Sequence, residues 1–166
     1  RNIEPLRRLN LALGLALGAY TGILLGTLGA RALWGSLLLA PLFLVSGFST
    51  AAALTMLLPV SHDERESVRR WDIYAIAVEA GVLALFFADV AVNGGLRGRQ
   101  AVSLFFGGPW TAAFWAFVIV LGLVAPMVLE IAEGRRHLRA AVIAPMFLLI
   151  GGFALRWIFV AAGQVS

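Results

Sequence analysis

Five long runs of apolar residues, each almost free of charge, constrain this chain more than any other feature of its sequence. A helix needs about 20 such residues to cross the hydrocarbon core of a bilayer. The runs do not alternate between polar and apolar residues, as the strands of a membrane barrel would. The sequence therefore predicts an all-α, polytopic transmembrane helical bundle, with helices at about Leu9–Ala30, Gly35–Leu58, Asp72–Val92, Pro109–Ile131 and Ala140–Gly163.

The charged residues collect in the short segments between these runs. Of the 166 residues, 61% are hydrophobic and only 13% are charged, whereas a soluble domain of this size would need a charged surface. The thirteen basic residues are all arginines; they are dispersed, twelve of them at segment ends and Arg156 within the fifth run, with no basic helix face. The basic composition therefore does not indicate a nucleic-acid partner.

The arginines are divided unequally between the two ends of the predicted helices. Nine lie on the side of the N-terminus, in three segments: Arg1, Arg7, Arg8, Arg65, Arg69, Arg70, Arg135, Arg136 and Arg139. Three lie on the opposite side: Arg31, Arg97 and Arg99. By the positive-inside rule, the N-terminus is predicted to be cytoplasmic and the C-terminus outside. Four tryptophans near helix ends are predicted to anchor the bundle at the membrane interfaces, namely Trp34, Trp71, Trp110 and Trp157.

Two further features concern the organisation of the chain. The longest connection, from Asn93 to Gly108, contains AVSLFFGGPW, which is typical of an interfacial or re-entrant piece. The chain starts at Arg1 instead of a methionine, and no signal peptide precedes the first run. We therefore expect one half of a longer membrane protein, or a chain that completes its core against a partner chain.

Redox metal centres are not expected within this sequence. It contains no cysteine, so iron–sulfur clusters and disulfides are excluded. The two histidines, His62 and His137, lie in predicted cytoplasmic connections among charged residues. A bound haem would need two axial ligands that face each other inside the bundle, and no such pair is present.

Charged side chains inside the runs are expensive in lipid and are therefore functional candidates. Asp72 and Glu79 are seven residues apart on nearly the same helix face, and Glu79 has no evident cationic partner. Glu79 is thus a candidate proton carrier, although a neutral, hydrogen-bonded glutamic acid is an equal alternative. Asp89 and Arg156 have similar predicted depths, which predicts a buried salt bridge; Asp89 is also a candidate proton acceptor.

Hydroxyl groups and glycines mark two further faces. Ser46, Ser49 and Thr50 lie near the predicted midplane, at about the depth of Tyr20, where hydroxyls usually bond to a helix backbone. The first run carries glycines at intervals of four, and this spacing predicts close packing against another helix. The alternative is that these glycines leave room beside Tyr20 for a flat ring or a lipid tail; the four are Gly14, Gly18, Gly22 and Gly26.

Five segments, in order, resemble the NrfD/PsrC-type family of integral membrane subunits of polysulfide reductase, nitrite reductase and related respiratory complexes. They are GAYTGILL, PLFLVSGFSTAAAL, EAGVLALFF, GGPWTAAFWAFVIVLGLVAPMVLE and GGFALRWIFVAAGQ. The resemblance covers about Leu11 to Gln164. The chain is shorter than such proteins usually are, and it resembles their C-terminal half.

The resemblance implies a membrane anchor subunit that exchanges electrons between a membrane quinone, menaquinone or ubiquinone, and an iron–sulfur, ferredoxin-like partner. That partner would connect to a catalytic subunit that contains molybdopterin or several haems. The implied location is the cytoplasmic membrane of a bacterium or archaeon, in contact with the N-terminal half or another membrane chain. Tyr20, Ser46, Ser49 and Arg156 are then candidates for a quinone or polar pocket.

Two other classes of function stay open at this point. A proton-coupled secondary transporter would also have buried carboxylates and broken helices, and Pro126 and Pro145 are possible breaks. A purely structural membrane module would need only the glycine face and the Asp89–Arg156 pair.

Overall fold

The computed structural model describes residues 3–27, 31–59, 61–136 and 142–166, with the backbone alone described at 134–136. It has five helices that are long and apolar enough to cross a membrane. Parts of the sequence predictions that involve Arg1, Ala30, His137, Arg139 and Ala140 lie outside the described residues. The predicted fold class, an all-α bundle with about five membrane-spanning helices, is confirmed.

The helices follow one another with short connections. The first, second and third spans are α1 (Glu4–Thr27), α2 (Leu39–Leu57) and α3 (His62–Asn93), and a short helix, α4 (Gly95–Ser103), follows them. The fourth span is continuous but composite, because α5 (Thr111–Ala113) leads into a π-helical segment (Phe114–Val124) and then α6 (Ala125–Arg136). The fifth span is α7 (Ile143–Gln164).

The third helix begins ten residues before the position that hydropathy predicts. Ser61 caps it: the Ser61 hydroxyl accepts from the Glu64 backbone N–H, and the Glu64 carboxylate accepts from the Ser61 backbone N–H at 3.0 Å. This reciprocal capping satisfies two donors at the helix start. The charged residues from His62 to Arg70 therefore form helical turns that extend beyond the apolar run.

Four spans form the core and the first lies at its edge. Helix α2 packs on both α3 and α7, the π-helical segment and α6 pack on α7, and α1 packs on α2. Within α1 only Gly22 is buried. Most of α1 is therefore free to face lipid or another chain.

The predicted glycine face is confirmed in part. A Cβ at Gly22 would overlap the backbone of Ala40, and a Cβ at Gly18 would lie 2.9 Å from Leu44 Cδ1, so α1 approaches α2 closely here. Gly14 has open space around it, and Gly26 is near only the Trp34 carbonyl. The contact between the helices is thus confined to the half of α1 nearer Thr27.

An aromatic cluster joins the spans at the centre of the core. Phe159 of α7 is fully buried, and its ring lies 5.2 to 6.5 Å from five other phenylalanine rings. These rings come from α2, α3, the connection after α4 and the π-helical segment: Phe43, Phe86, Phe87, Phe105 and Phe114. The predicted interfacial piece therefore contributes Phe105 to the core, while α4 packs against α3.

Trp34 is not the interface anchor that its position predicts. Its side chain is buried, and its indole N–H donates to the Phe159 carbonyl at 3.2 Å. The indole lies against Gly163, where a Cβ would overlap the ring. Trp34 thus fastens the connection between α1 and α2 to α7, whereas Trp71 and Trp157 are largely exposed, as anchors would be.

We expect Gly163→Ala to destabilise the protein by about 1–3 kcal/mol, because the added methyl group displaces the Trp34 ring and weakens its hydrogen bond. Thermal unfolding of the full-length protein in detergent measures the effect. Gly81→Ala is the matched control, since nothing lies within 4 Å of a Cβ at that helical position. Equal melting temperatures for the two variants would contradict the proposed contact.

Candidate functional site

Arg156 lies in the fifth span, and no carboxylate of the described residues forms an ion pair with it within 4.0 Å. Its guanidinium donates to the Gly152 carbonyl at 2.9 Å and to the Phe43 carbonyl of α2 at 3.2 Å. It also donates to the Ser46 hydroxyl at 3.4 Å, and it lies over the Phe43 ring at 5.9 Å from the centroid. Backbone carbonyls are common partners of charged groups inside membranes.

The predicted salt bridge between Asp89 and Arg156 is wrong. The Asp89 carboxylate accepts from the Ser36 hydroxyl and from the Asn93 amide, each at 2.6 Å. It therefore fastens the end of α3 to the connection before α2. Similar depth made the pairing plausible, but Arg156 points towards α2 instead. The role of Asp89 as a proton acceptor stays a prediction.

Glu79 is buried and connects to Arg156 through Ser46. The Ser46 hydroxyl lies near the Glu79 carboxyl, on the same small cavity, and accepts from Arg156. Among the described residues, Glu79 and Arg156 form no direct ion pair within 4.0 Å, although Glu79 is near enough to feel the charge of Arg156. This cation was not predicted for Glu79, because depth alone pairs Arg156 with Asp89.

Asp72 lies on the same buried face of α3 as Glu79, as their spacing predicts. The Ser49 hydroxyl donates to Asp72 Oδ1 at 2.7 Å. Ser49 therefore bonds to a carboxylate of another helix, whereas Thr50 donates to the Ser46 carbonyl of its own helix at 2.7 Å. Each of the two serines of α2 thus lies beside one of the two carboxyls of α3, Ser49 beside Asp72 and Ser46 beside Glu79.

Glu130 of α6 is a further member of this set and was not among the residues that the sequence singled out. It is 1% exposed, and its carboxyl lies close enough to that of Asp72 for the two to interact. The residue stands next to the end of the fourth apolar run, where a charge is ordinary. One sequence signal could have identified Glu130 as a buried acid: no basic residue lies three or four positions away from it on the same helix, where a surface glutamate often has an ion-pair partner.

A small cavity separates the two halves of this polar set. Its volume is about 10 Å³, which is close to the space that one water molecule requires. Ser46, Ser49 and Glu79 line it together with Gly122 and Gly151. We name the six side chains the polar chain; in order from α7 to α6 they are Arg156, Ser46, Glu79, Ser49, Asp72 and Glu130.

A larger, apolar groove opens at the other end of the polar chain, between α1 and α2. Its volume is about 410 Å³, and Arg156 contributes to its lining. Gly14, Gly18 and Gly47 also line it, so the walls carry few side chains at these points. We name this feature the α1–α2 groove.

The four residues predicted to form one pocket do not lie together in the structure. Arg156 lines the groove and Ser46 contacts Arg156. Ser49 lies deeper, beside Asp72. Tyr20 is 55% exposed and is not among the residues that line the groove. Tyr20 and the serines therefore do not form one site.

The position of Arg156 decides what it can bind. At 1.5 Å per residue it lies about 20 Å from the start of α7 and about 12 Å from its end. In a hydrocarbon core about 30 Å thick, this places the guanidinium inside the apolar layer. A cation that faces an apolar groove at this depth can donate to an oxygen atom of a lipid-soluble molecule.

The described residues offer no candidate metal site. They contain no group of three or more His, Cys, Asp or Glu side chains that could hold a metal ion. His62, the histidine within the described ranges, is exposed at the start of α3.

A multi-pass helical membrane protein with a buried line of ionisable and hydroxyl groups is thus the class that the fold and the site define. The chain belongs to the family described as "Polysulphide reductase, NrfD", which it matches over residues 1–166. It is 34% identical to the protein NrfD of Escherichia coli strain K12 over 169 residues, which are 97% of this chain and 53% of that protein.

Two further relatives agree with this assignment. The C subunit of polysulfide reductase from Wolinella succinogenes is 29% identical over 171 residues, 97% of this chain and 54% of the relative. The NrfD homolog of Haemophilus influenzae is 28% identical over 176 residues, 100% of this chain and 54% of the relative. The chain therefore spans about half the length of these relatives. No solved structure matches it significantly.

Proposed function

We propose that this chain is part of the membrane anchor subunit of a respiratory reductase complex, and that it exchanges electrons between a membrane quinone and an iron–sulfur partner subunit. The family description and the name of one relative both refer to polysulfide reductase. The partner would pass the electrons to or from a catalytic subunit with molybdopterin or several haems. The observation that carries the proposal is a guanidinium that lines a lipid-facing groove at hydrocarbon depth.

The α1–α2 groove fits the head of a quinone in size and in chemistry. A volume of about 410 Å³ lies within the usual range of small-molecule sites, roughly 300–1,000 Å³. Apart from the backbone of α1 itself, no atom of the described ranges lies within 4 Å of the position that a Cβ would take at Gly14, so a flat ring has room beside α1. The remaining lining is mostly apolar, as a prenylated ring requires.

Arg156 supplies the polar contact. Its two terminal nitrogens already donate to the Gly152 and Phe43 carbonyls and to Ser46, which orients the guanidinium; these bonds use three of its five N–H donors, so two remain for a ligand among the described contacts. In this position it would donate to a ring oxygen. A lipid phosphate would have to move about 12 Å below the interface to reach the same nitrogen.

Glu79 is the proton acceptor that the polar chain offers to this site. Oxidation of a quinol releases two electrons and two protons; in the proposal the electrons go to the iron–sulfur partner, and Glu79 takes up the protons one at a time and releases the first before it accepts the second. The Arg156 guanidinium keeps its own protons, so a proton released in the groove would reach the Ser46 hydroxyl directly or through a water, and Ser46 would pass it on to Glu79. The reverse direction, quinone reduction, would use the same groups.

We expect Gly14→Leu to weaken quinone binding by roughly ten-fold or more, because the leucine side chain would occupy the space of the ring. The variant should still fold, since the space beside Gly14 is open. Photolabelling of the purified complex by an azido-quinone measures binding without any need for turnover. Gly81→Leu, on an open part of α3, is the matched control and should label like the unmodified protein.

Arg156→Gln tests the polar contact in the same assay, and loss of a charged hydrogen bond again predicts a decrease of roughly ten-fold or more. Arg97→Gln, an exposed arginine on α4, is its control. If Gly14→Leu and Arg156→Gln both label normally in folded complexes, the groove does not bind quinone, and the chain is a structural membrane module at this position.

A further inference from the structure

Asp72 and Glu130 form the most completely buried carboxyl pair among the described residues. They are 0% and 1% exposed, respectively, although both are acids. They come from different helices, α3 and α6, which pack against each other, and their carboxyls lie close enough to interact. Two ionised carboxylates side by side in an apolar environment repel each other and lose their hydration, so at least one of them needs compensation.

The hydrogen bonds of this pair are incomplete. Asp72 Oδ1 accepts from Ser49, but Asp72 Oδ2 and both oxygens of Glu130 are buried with no donor among the described residues. Buried polar atoms in native proteins nearly always have a partner. Three acceptor oxygens without a donor in one place therefore indicate that a donor belongs there.

The charged groups that act on the pair within the described part of the chain do not supply that donor. Arg69 of α3 is the cation whose charge reaches Glu130, but its guanidinium is bound to Glu66, and its Nε atom is itself buried without an acceptor. Glu133 of α6 and Glu79 of α3 add further negative charge nearby.

We propose that Asp72 and Glu130 hold a single proton between them and form a proton-binding site in the membrane. A proton on one carboxyl donates to the other, which satisfies two of the three unpartnered oxygens and removes the repulsion between two charges. Neither the family resemblance nor the names of the relatives assign this role to either residue, and Glu130 is absent from the candidates that hydropathy suggests.

The site is placed to exchange its proton with Glu79. Ser49 contacts Asp72 and lines the water-sized cavity, which Glu79 also lines. A water in that cavity would lie between Ser49 and Glu79, so a proton can move along hydrogen bonds from one carboxyl to the other. The pair thus extends the proposed function, but its existence does not depend on quinone binding.

Infrared spectroscopy of the purified full-length protein at neutral pH tests the pair directly, because a protonated carboxyl has a carbonyl band that ionised carboxylates lack and that shifts in D₂O. We expect such a band in the unmodified protein. Glu130→Gln and Asp72→Asn should each abolish the same component, since the amide N–H then supplies the donor and the remaining carboxyl ionises. Both variants are nearly isosteric with the original residues, and thermal unfolding checks that they fold.

Two controls separate the pair from its neighbours. Glu79→Gln should retain the component, because Glu79 has its own partners; Asp89→Asn should also retain it, because Asp89 lies at the other end of α3. A spectrum without any component that is lost in both Glu130→Gln and Asp72→Asn would overturn the proposal. In that case Arg69 would be the partner of an ionised Glu130. Normal azido-quinone labelling alongside this result would leave the proposed function intact.

Discussion

Gly151→Leu should prevent the fifth span from packing against the fourth, and folded protein should be nearly absent. Gly151 of α7 meets Gly122 of the π-helical segment backbone to backbone. A Cβ at Gly151 would overlap the Gly122 backbone, and a Cβ at Gly122 would lie 2.9 Å from Gly151 Cα. Backbone atoms cannot move aside as a flexible side chain can, so the two spans would have to separate.

The effect is large because several interactions depend on this crossing. Gly122 and Gly151 also line the water-sized cavity of the polar chain, and α7 carries both Arg156 and Phe159. Small residues at helix crossings supply much of the packing that associates helices in membranes, where lipid is as apolar as the side chains. Separation of these spans would thus remove the contacts of α7 with its neighbours.

The measurement is the yield of monodisperse full-length protein in detergent, followed by thermal unfolding of any that is obtained. Gly81→Leu introduces the same side chain into a helix at an open position and should give nearly normal yield. A folded Gly151→Leu protein with an unchanged melting temperature would show that the two backbones are not in contact.

Phe159→Ala should destabilise the protein by about 3 kcal/mol, the low end of the range for removal of a buried phenylalanine. The ring is fully buried and packs against phenylalanines from four other parts of the bundle. In lipid the loss comes mainly from the contacts and from the cavity left behind, since the transfer of apolar surface from water contributes little between helices.

Thermal or denaturant unfolding of the full-length protein measures this loss. Phe153→Ala on the same helix is the matched control, because its ring is 71% exposed and should cost little. If Phe159→Ala and Phe153→Ala unfold alike, the aromatic cluster is not a principal stabilising contact between the spans.

The sequence predicted the number and class of the membrane helices because hydrophobic length is a local property. Each run is apolar enough to be assigned without reference to the others. The common face of Asp72 and Glu79 was also predictable, since a spacing of seven residues brings side chains to nearly the same side of a helix. The orientation inferred from the arginines stays a prediction.

The partners of the buried charges were not predictable in the same way. Arg156 and Asp89 were paired because they have similar depths, yet they face different neighbours. Trp34 was assigned to the interface because it is near a helix end, but the connection before α2 folds inward and buries it. Glu130 looked like an ordinary terminal charge until α6 brought it against Asp72.

Depth in the membrane and rotation about a helix axis account for this difference. Distance along a helix follows from counting residues at about 1.5 Å each, so the sequence alone determined how far each group lies from the ends of its apolar run. Rotation and neighbours depend on which surfaces pack, and close contacts such as Gly122 with Gly151 and Gly22 with Ala40 settle that only in the folded chain. The tertiary structure therefore decided that Arg156 meets Ser46 and that Asp72 meets Glu130, because those contacts require particular faces of separate helices to be turned towards each other.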